Sequence, residues 1–408
     1  MVGRGPALPA AHRPRRRAGA ITSGGCSTMD FGLTDEQELL LSSLDDLLER
    51  ECPESYIAEL DATHAPPTAF RKALHEAGFA SLGFPEEYGG TPVDATTLVL
   101  LAARVARQGL NNGYGLELLQ AMDILEFGSE EQKQEVLGLL ASGEVPFALG
   151  FTEPGAGSDN AAMATTAVHH DGMVTFNGTK TLITNALQSK YLLLMAKDPA
   201  VANPREAISM YLVPMDAPGL TTNRLEKIVW HISDSCEIFL DDVTVPESCL
   251  VGVKGAGFKQ LMRNFEMERL VIASQCWGLA ECAYEDAATY AAQRVQFGKP
   301  IGQFQLIQAK LTDMAIKVEN MRNFVLKTAW MLDQDVPLKS QGALCKRYSA
   351  MAAFEVADEA MQVFGGVGVT VGTRVSRLWR DIRGHRFGGG TDEIMVHIAG
   401  RQIVKDHS

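Results

Sequence analysis

Two short blocks and one glutamate hold the residue types from which chemistry could be built. Residues 151–159 read FTEPGAGSD and residues 177–186 read NGTKTLITNA. In the first block two glycines and a proline force a tight turn. The Thr152 and Ser158 hydroxyls and the backbone N–H groups gather donors around that turn, a set suited to phosphate and to the acceptor atoms of a flavin-like ring. The glutamate is Glu268, within FEMERLVIASQCWG at residues 265–278. Leu261, Phe265, Glu268, Ile272, Cys276 and Leu279 recur at three-four spacing, so Glu268 falls on an otherwise apolar helix stripe. Glu266 has Arg269 as an i,i+3 partner, whereas Glu268 has Phe265, Val271 and Ile272 around it and no local base. A carboxyl buried without a partner holds its proton towards neutral pH, the property of a general base. The residues alone leave two other fates open, a side chain reaching solvent at the helix edge or one paired with a distant arginine.

These groups need elements to position them. From residue 29 to 143 the apolar pattern is helical: Leu39, Leu40, Leu44, Leu47 and Leu48 follow three-four spacing, Thr34 with Gln37 has the capping-box form, and residues 96–107 repeat the pattern. From 144 to 255 the apolar segments shorten (173–176, 191–195, 208–213, 238–240) and are separated by Gly, Asn, Asp and Pro, which predicts a small β-domain. From 256 to 408 helices return. Ile307, Leu311, Met314, Val318, Met321, Val325 and Leu332 mark one long helix, with its methionines in the core. The expected architecture is therefore α+β and multidomain. Residues 1–28, rich in Pro, Arg and Gly, read as a disordered extension.

Further blocks stand along the chain: RVQFGKPIGQFQLIQ at 294–308, AAFEVADEAMQVFGGVGV at 352–369 and WRDIRGHRFGGGTDEI at 379–394. With the first two blocks, in this order and at this spacing, they resemble the acyl-CoA dehydrogenase family of flavoenzymes from Met29 to Lys405. Within it these stretches, and MDFGLTDEQELL at Met29, are most similar to the crotonobetainyl-CoA reductases of carnitine metabolism. The resemblance implies an N-terminal α-helical domain, a middle β-barrel domain and a C-terminal four-helix bundle, with FAD between the last two. It also implies a homotetramer or dimer that exchanges electrons with electron-transfer flavoprotein.

Carried over position by position, the resemblance implies FAD contacts from Thr152, Gly157, Ser158, Ile183, Thr184, Gln362, Gly365, Gly366, Thr391 and Glu393. Arg294, Phe297 and Gln305 would reach the FAD of a neighbouring subunit. Ser158, Glu266, Arg269 and Gly390 would meet the acyl-CoA substrate. Many members carry the catalytic glutamate directly before a Gly-Thr pair, where this chain has Gly389; others carry it on an earlier helix, and the matching residue here is Glu268. Two positions depart from the pattern. Leu182 replaces a flavin-stacking aromatic, and His231 stands where an arginine is common. A trimethylammonium-bearing acyl group would want an aromatic or acidic lining, for which Trp230 and Trp277 are candidates. The alternatives are a short- or branched-chain acyl-CoA dehydrogenase and, in another class, a flavin-binding scaffold without turnover, against which Glu268 argues.

Composition sets outer bounds. The chain has 408 residues, 46% hydrophobic and 21% charged, with a net charge of −13, as expected for a globular protein. Five arginines and no acid lie before residue 29, so the remainder is more acidic still, which argues against nucleic-acid or anionic-membrane partners. No apolar run is long enough to span a bilayer. Seven cysteines without a CxxC pair suit reduced thiols and a cytoplasmic compartment. The nine histidines show no metal-ligand spacing, and there is no GxSxG elbow.

Overall fold

A computed structural model describes residues 32–408 apart from 112, 113 and 339, and the side chains of 116–118 and 120 fall outside the description. The expectation for residues 1–28 lies outside the described residues.

Six helices open the fold: α1 (Asp35–Glu51), α2 (Glu54–Thr63), α3 (Thr68–Glu76), α4 (Ala95–Arg107), α5 (Leu116–Phe127) and α6 (Glu130–Ala141). Thr34 and Gln37 form the capping box at the start of α1, and Ser129 with Gln132 does the same for α6. Leu44, Leu47 and Leu48 are buried as their spacing predicts, but Leu39 is 70% exposed because it falls on the outer edge of the stripe. Asp94 caps α4 through Thr97 N. Asp333, from far along the chain, accepts from Ala95 N at 2.7 Å and Thr96 N at 3.1 Å, tying this helix to the C-terminal bundle.

The middle of the chain forms β1 (Val145–Gly150), β2 (Thr166–His170), β3 (Met173–Thr184), β4 (Ser189–Lys197), the short α7 (Pro204–Ala207), β5 (Ile208–Pro214), β6 (Leu220–Arg224), β7 (Ser235–Pro246) and β8 (Leu250–Val251). The strand order is β6-β7-β3-β2-β4-β5-β8, with β1 parallel to β4. Its two halves meet through one residue pair, Thr166 and Lys197. Between the halves lies a separate apolar core in which Phe176, Ile238 and Val243 face Leu192, Leu194 and Tyr211. Each such large side chain contributes about 1.5–3 kcal/mol by leaving water.

The last part is helical: α8 (Gly257–Gln293), the hairpin β9 (Val295–Gln296) and β10 (Lys299–Pro300), α9 (Gln305–Asp333), α10 (Gln341–Phe364), α11 (Arg374–Ile382) and α12 (Asp392–Asp406). Met314 and Met321 on α9 are buried in the core, as their spacing predicts. Gly278 on α8 abuts the backbone of Ala103 on α4, so closely that a side chain there would collide with it. The long helix therefore serves as the common wall of the first and third parts.

Candidate active site

Glu268 lies on α8, partly buried, and burial pushes its carboxyl up to about 6. Opposite it runs the glycine loop that precedes α12. A Cβ added at Gly389 would sit 2.6 Å from Ile272 Cδ1 and 3.6 Å from Glu268 Oε1. The loop thus lies against the carboxylate, and a side chain at 389 would require the end of Ile272 to move. Gly389 and Gly390 have φ of +62° and +101°, a left-handed turn that favours glycine. Among the described residues neither donates a backbone hydrogen bond, so two N–H groups stand free beside the carboxylate.

The surroundings of Glu268 differ from the expected isolation. The i,i+3 ion pair between Glu266 and Arg269 does not form; the Arg269 guanidinium instead lies 5.7 Å over the Phe265 ring. Arg269 is 9% exposed, its Nε has no hydrogen-bond partner, and its charge acts on both Glu268 and Glu266. Glu268 therefore does have a local base, which lowers its pKa less than burial raises it. Burial likewise pushes the half-buried Glu266 up.

The two blocks singled out by sequence come together. Thr181 N donates to Thr152 O at 2.9 Å. Lys180, fully buried, donates to Phe151 O at 3.3 Å and to Glu153 Oε1 at 2.8 Å. Glu153 also accepts from Thr165 N at 3.0 Å. Phe151 meets Phe265 with ring centroids 6.2 Å apart, which joins this pair of loops to α8 just before Glu268. Thr152 and Thr184 are partly exposed and Gly157 and Ser158 exposed. Ile183 is 2% exposed and paired to Cys236, so its side chain belongs to the β-domain core and only its backbone can face a ligand. Leu182 projects at 64% exposure from a register irregularity in β3, with φ +58°.

Thr391 caps α12 through Ile394 N at 3.2 Å, and Glu393 is exposed in the first turn, one element from Glu268. The remaining predicted residues lie elsewhere. Arg294, Phe297 and Gln305 are exposed on and beside the β9–β10 hairpin, roughly 39 Å along α8 from Glu268 at 1.5 Å per residue. Gln362, Gly365 and Gly366 end α10 and join them there through the stacked Tyr290 and Phe364 rings, 4.3 Å apart. One chain therefore gathers two separate clusters.

Neither tryptophan stands as a free aromatic wall. Trp230 packs on Gly384 and Gly388 and donates from Nε1 to Asp381 O at 2.9 Å, and Trp277 is 7% exposed in the core. His231 stacks on His64 at 4.0 Å and accepts at Nδ1 from Arg380 at 3.1 Å, so the guanidinium in that neighbourhood comes from α11. Two further groups went unread in the sequence. Asp123 on α5, 4% exposed, accepts from Asn264 Nδ2 at 2.6 Å, and burial pushes its carboxyl up to about 7 with Glu268 adding to the rise. Lys346 on α10, fully buried, donates to Gly390 O at 2.6 Å. Its signal was a lone cation on a small-residue stripe of Gly342, Ala343, Ala350, Ala353 and Ala357.

Comparison with known proteins bears on this arrangement. The family models for the N-terminal, middle and C-terminal domains of acyl-CoA dehydrogenase match residues 34–144, 148–243 and 255–404. The "Probable acyl-CoA dehydrogenase YdiO" of Escherichia coli is 48% identical over 385 residues, 93% of this chain and 99% of that protein. The butyryl-CoA dehydrogenase of Megasphaera elsdenii superposes with a TM-score of 0.86 at 32% identity, covering 92% of this chain and 100% of its own. A chain solved in work on the electron transferring flavoprotein of Acidaminococcus fermentans gives the same TM-score of 0.86 and 32% identity, with 92% and 99% covered.

Proposed function

The chain belongs to the acyl-CoA dehydrogenase family, and from that premise we propose that it interconverts the saturated and α,β-unsaturated forms of a short acyl-CoA thioester, with Glu268 as the base. It is an FAD-dependent oxidoreductase acting on a CH–CH bond. The paired loops suit that cofactor: Thr152 and Thr184 are partly exposed, Ser158 is exposed, and at Gly157 an added Cβ would meet nothing within 4 Å. These residues, with Thr391 and Glu393, would hold FAD, which when bound supplies the acceptor for the substrate's β hydride.

The observation that carries the reading is the contact between Glu268 and the Gly389–Gly390 turn. A carboxylate whose pKa is near 6 takes the α proton at neutral pH without being too weak a base to do so. The free N–H groups of the turn and the Arg269 guanidinium stabilise negative charge developing on the thioester oxygen. Ser158, Glu266 and Gly390 complete the substrate contacts.

The second cluster supports a homo-oligomer, dimer or tetramer, in which Arg294, Phe297, Gln305, Gln362, Gly365 and Gly366 of one copy complete the FAD site of another. Around this cluster Phe297 is 94% exposed, Leu306 80%, Val369 67% and Val371 103%, apolar surface that association would cover. An electron-transfer flavoprotein is the fitting redox partner, a reading supported by the similar chain from Acidaminococcus fermentans. The six described cysteines, all buried and free, support a cytoplasmic location; no described helix is long and apolar enough to cross a membrane.

For the acyl group, the crotonobetainyl-CoA and γ-butyrobetainyl-CoA pair is the first candidate, supported by the sequence stretches noted above and by two acids, Glu268 and Asp123, close enough to act on one another. A plain short or branched aliphatic chain is the second, favoured by the engagement of both tryptophans elsewhere. The test is anaerobic addition of γ-butyrobetainyl-CoA, butyryl-CoA and isovaleryl-CoA to the purified holoenzyme, following FAD absorbance. Selective bleaching by the first identifies a betainyl-CoA enzyme, and bleaching by the aliphatic thioesters alone identifies the second reading. Glu268→Gln, with FAD retained, should bleach on the order of 10²- to 10⁴-fold more slowly; a near-native rate would remove Glu268 from the role of base.

A further inference from the structure

We propose that Lys346 is the positioning residue of this active site, fixing the Gly389–Gly390 turn over Glu268 through the Gly390 carbonyl and setting a buried positive charge behind both. The proposal rests on Glu268 being the base.

Three observations carry it. Lys346 is fully buried on α10, on a helix stripe of small residues. Its Nζ donates to Gly390 O at 2.6 Å, the one described hydrogen bond that ties the turn itself to a helix of the bundle. The turn so held is the one against which Glu268 Oε1 lies. A buried ammonium is costly unless its charge is used. Burial pulls Lys346 down to about 8, while Cys276, Asp392, the first residue of α12, and Glu268 favour its charged form against the repulsion of Arg269.

The electrostatics around Glu268 can be assigned element by element. On α8 itself Arg269 is attractive, and it is shared with Glu266. From α5 Asp123 acts as a like charge. From α10 Lys346 is attractive. At the start of α12 Asp392 is met by Arg386 at 2.7 Å. In the turn before the glycine loop His385 is held neutral by burial and by Lys346, its pKa driven down to about 3. Lys346 and Arg269 are thus the two cations that favour the ionised form of Glu268. Arg269 sits beside the substrate-binding face, and Lys346 sits behind the turn, where no substrate atom reaches it.

Lys346 therefore does two separable things. The hydrogen bond keeps the free N–H groups of the turn in register with the thioester oxygen, and the charge keeps Glu268 ionised near neutrality. Both are tested on holoenzyme variants Lys346→Met, Lys346→Gln and Lys346→Arg, by the rate of anaerobic FAD bleaching as a function of pH. The probe is whichever of γ-butyrobetainyl-CoA, butyryl-CoA and isovaleryl-CoA bleaches the wild type. Lys346→Met should retain FAD, bleach on the order of 10²-fold more slowly, and move the acid limb of the profile to higher pH. Lys346→Gln, which keeps an N–H donor one bond short of the ammonium's position, should show the same shift of the limb, and it is read in place of the Met variant if that one does not fold. Lys346→Arg should leave the limb where it is. An unmoved acid limb in both neutral variants overturns the proposal, whatever their rate, because a packing role alone does not shift it. Glu268→Gln measured alongside separates the two readings: a near-native rate there removes the base assignment, whereas a slow Glu268→Gln with an unmoved Lys346→Met limb removes only the role of Lys346.

Discussion

At the residue scale the site turns on two positions that face each other. A side chain at 389 would press on the end of Ile272 and come within 3.6 Å of Glu268 Oε1, so the glycine there leaves the proposed base at 268 uncrowded. Glu268 was legible in the sequence because a carboxylate on an apolar stripe stands out, but the nearness of Arg269 was not, because spacing does not tell which way a guanidinium folds. Asp123 was invisible for a similar reason: its hydrogen-bond partner, Asn264, is distant in sequence. Its consequence is measurable. Folded, it titrates at about 7 rather than near 3.8, so the folded chain keeps a proton that the unfolded chain has lost. The stability this gives is full below the ordinary value and is lost as pH rises through about 7. Asp123→Asn, which does not titrate, should therefore gain thermal stability over wild type by roughly 2 °C or more at pH 8 and show no such gain at pH 4. Thermal unfolding at the two pH values checks it.

At the element scale the paired loops are held by one buried ion pair. Lys180, on β3, is fully buried and bonded to Glu153 in the turn, and Glu153 in turn accepts from Ala164 N at 2.5 Å and Thr165 N at 3.0 Å. Burial pulls Lys180 down to about 8, against the pull of Glu153. Removing one partner leaves the other charge buried and uncompensated, so Lys180→Met should cost about 3–5 kcal/mol and weaken FAD retention. Lys180→Met with Glu153→Gln should recover part of the stability, which denaturant unfolding of the two variants would reveal. The sequence made the tight turn and the strand legible from Gly, Pro and alternation. It did not reveal which face each strand residue takes: Ile183 turns into the core because the register shifts between Lys180 and Ile183.

At the scale of the whole molecule the three parts lock together through charge as well as packing. Arg380 on α11 pairs with Asp61 on α2, and His231 from the β-domain stacks on His64 beside them. Arg374 grips Asp286 of α8 through Nε at 2.7 Å, and Arg377 reaches Glu54 at 2.7 Å. The order of helices and strands was readable from periodicity; these cross-ties were not, since each joins residues far apart in sequence. The length of α8 has a genetic consequence. With Glu268 toward one end and Arg294 just past the other, the proposed sharing of a site between copies would make damage to either recessive in a mixed assembly. Glu268→Gln and Arg294→Ala, each slow alone, should complement when co-expressed: every mixed pair of chains then assembles one site from two undamaged halves. With random pairing and a two-fold interface the recovered turnover should approach roughly a quarter of wild type, and a co-expressed pair that stays at the level of its parents would mean that each chain builds its site unaided.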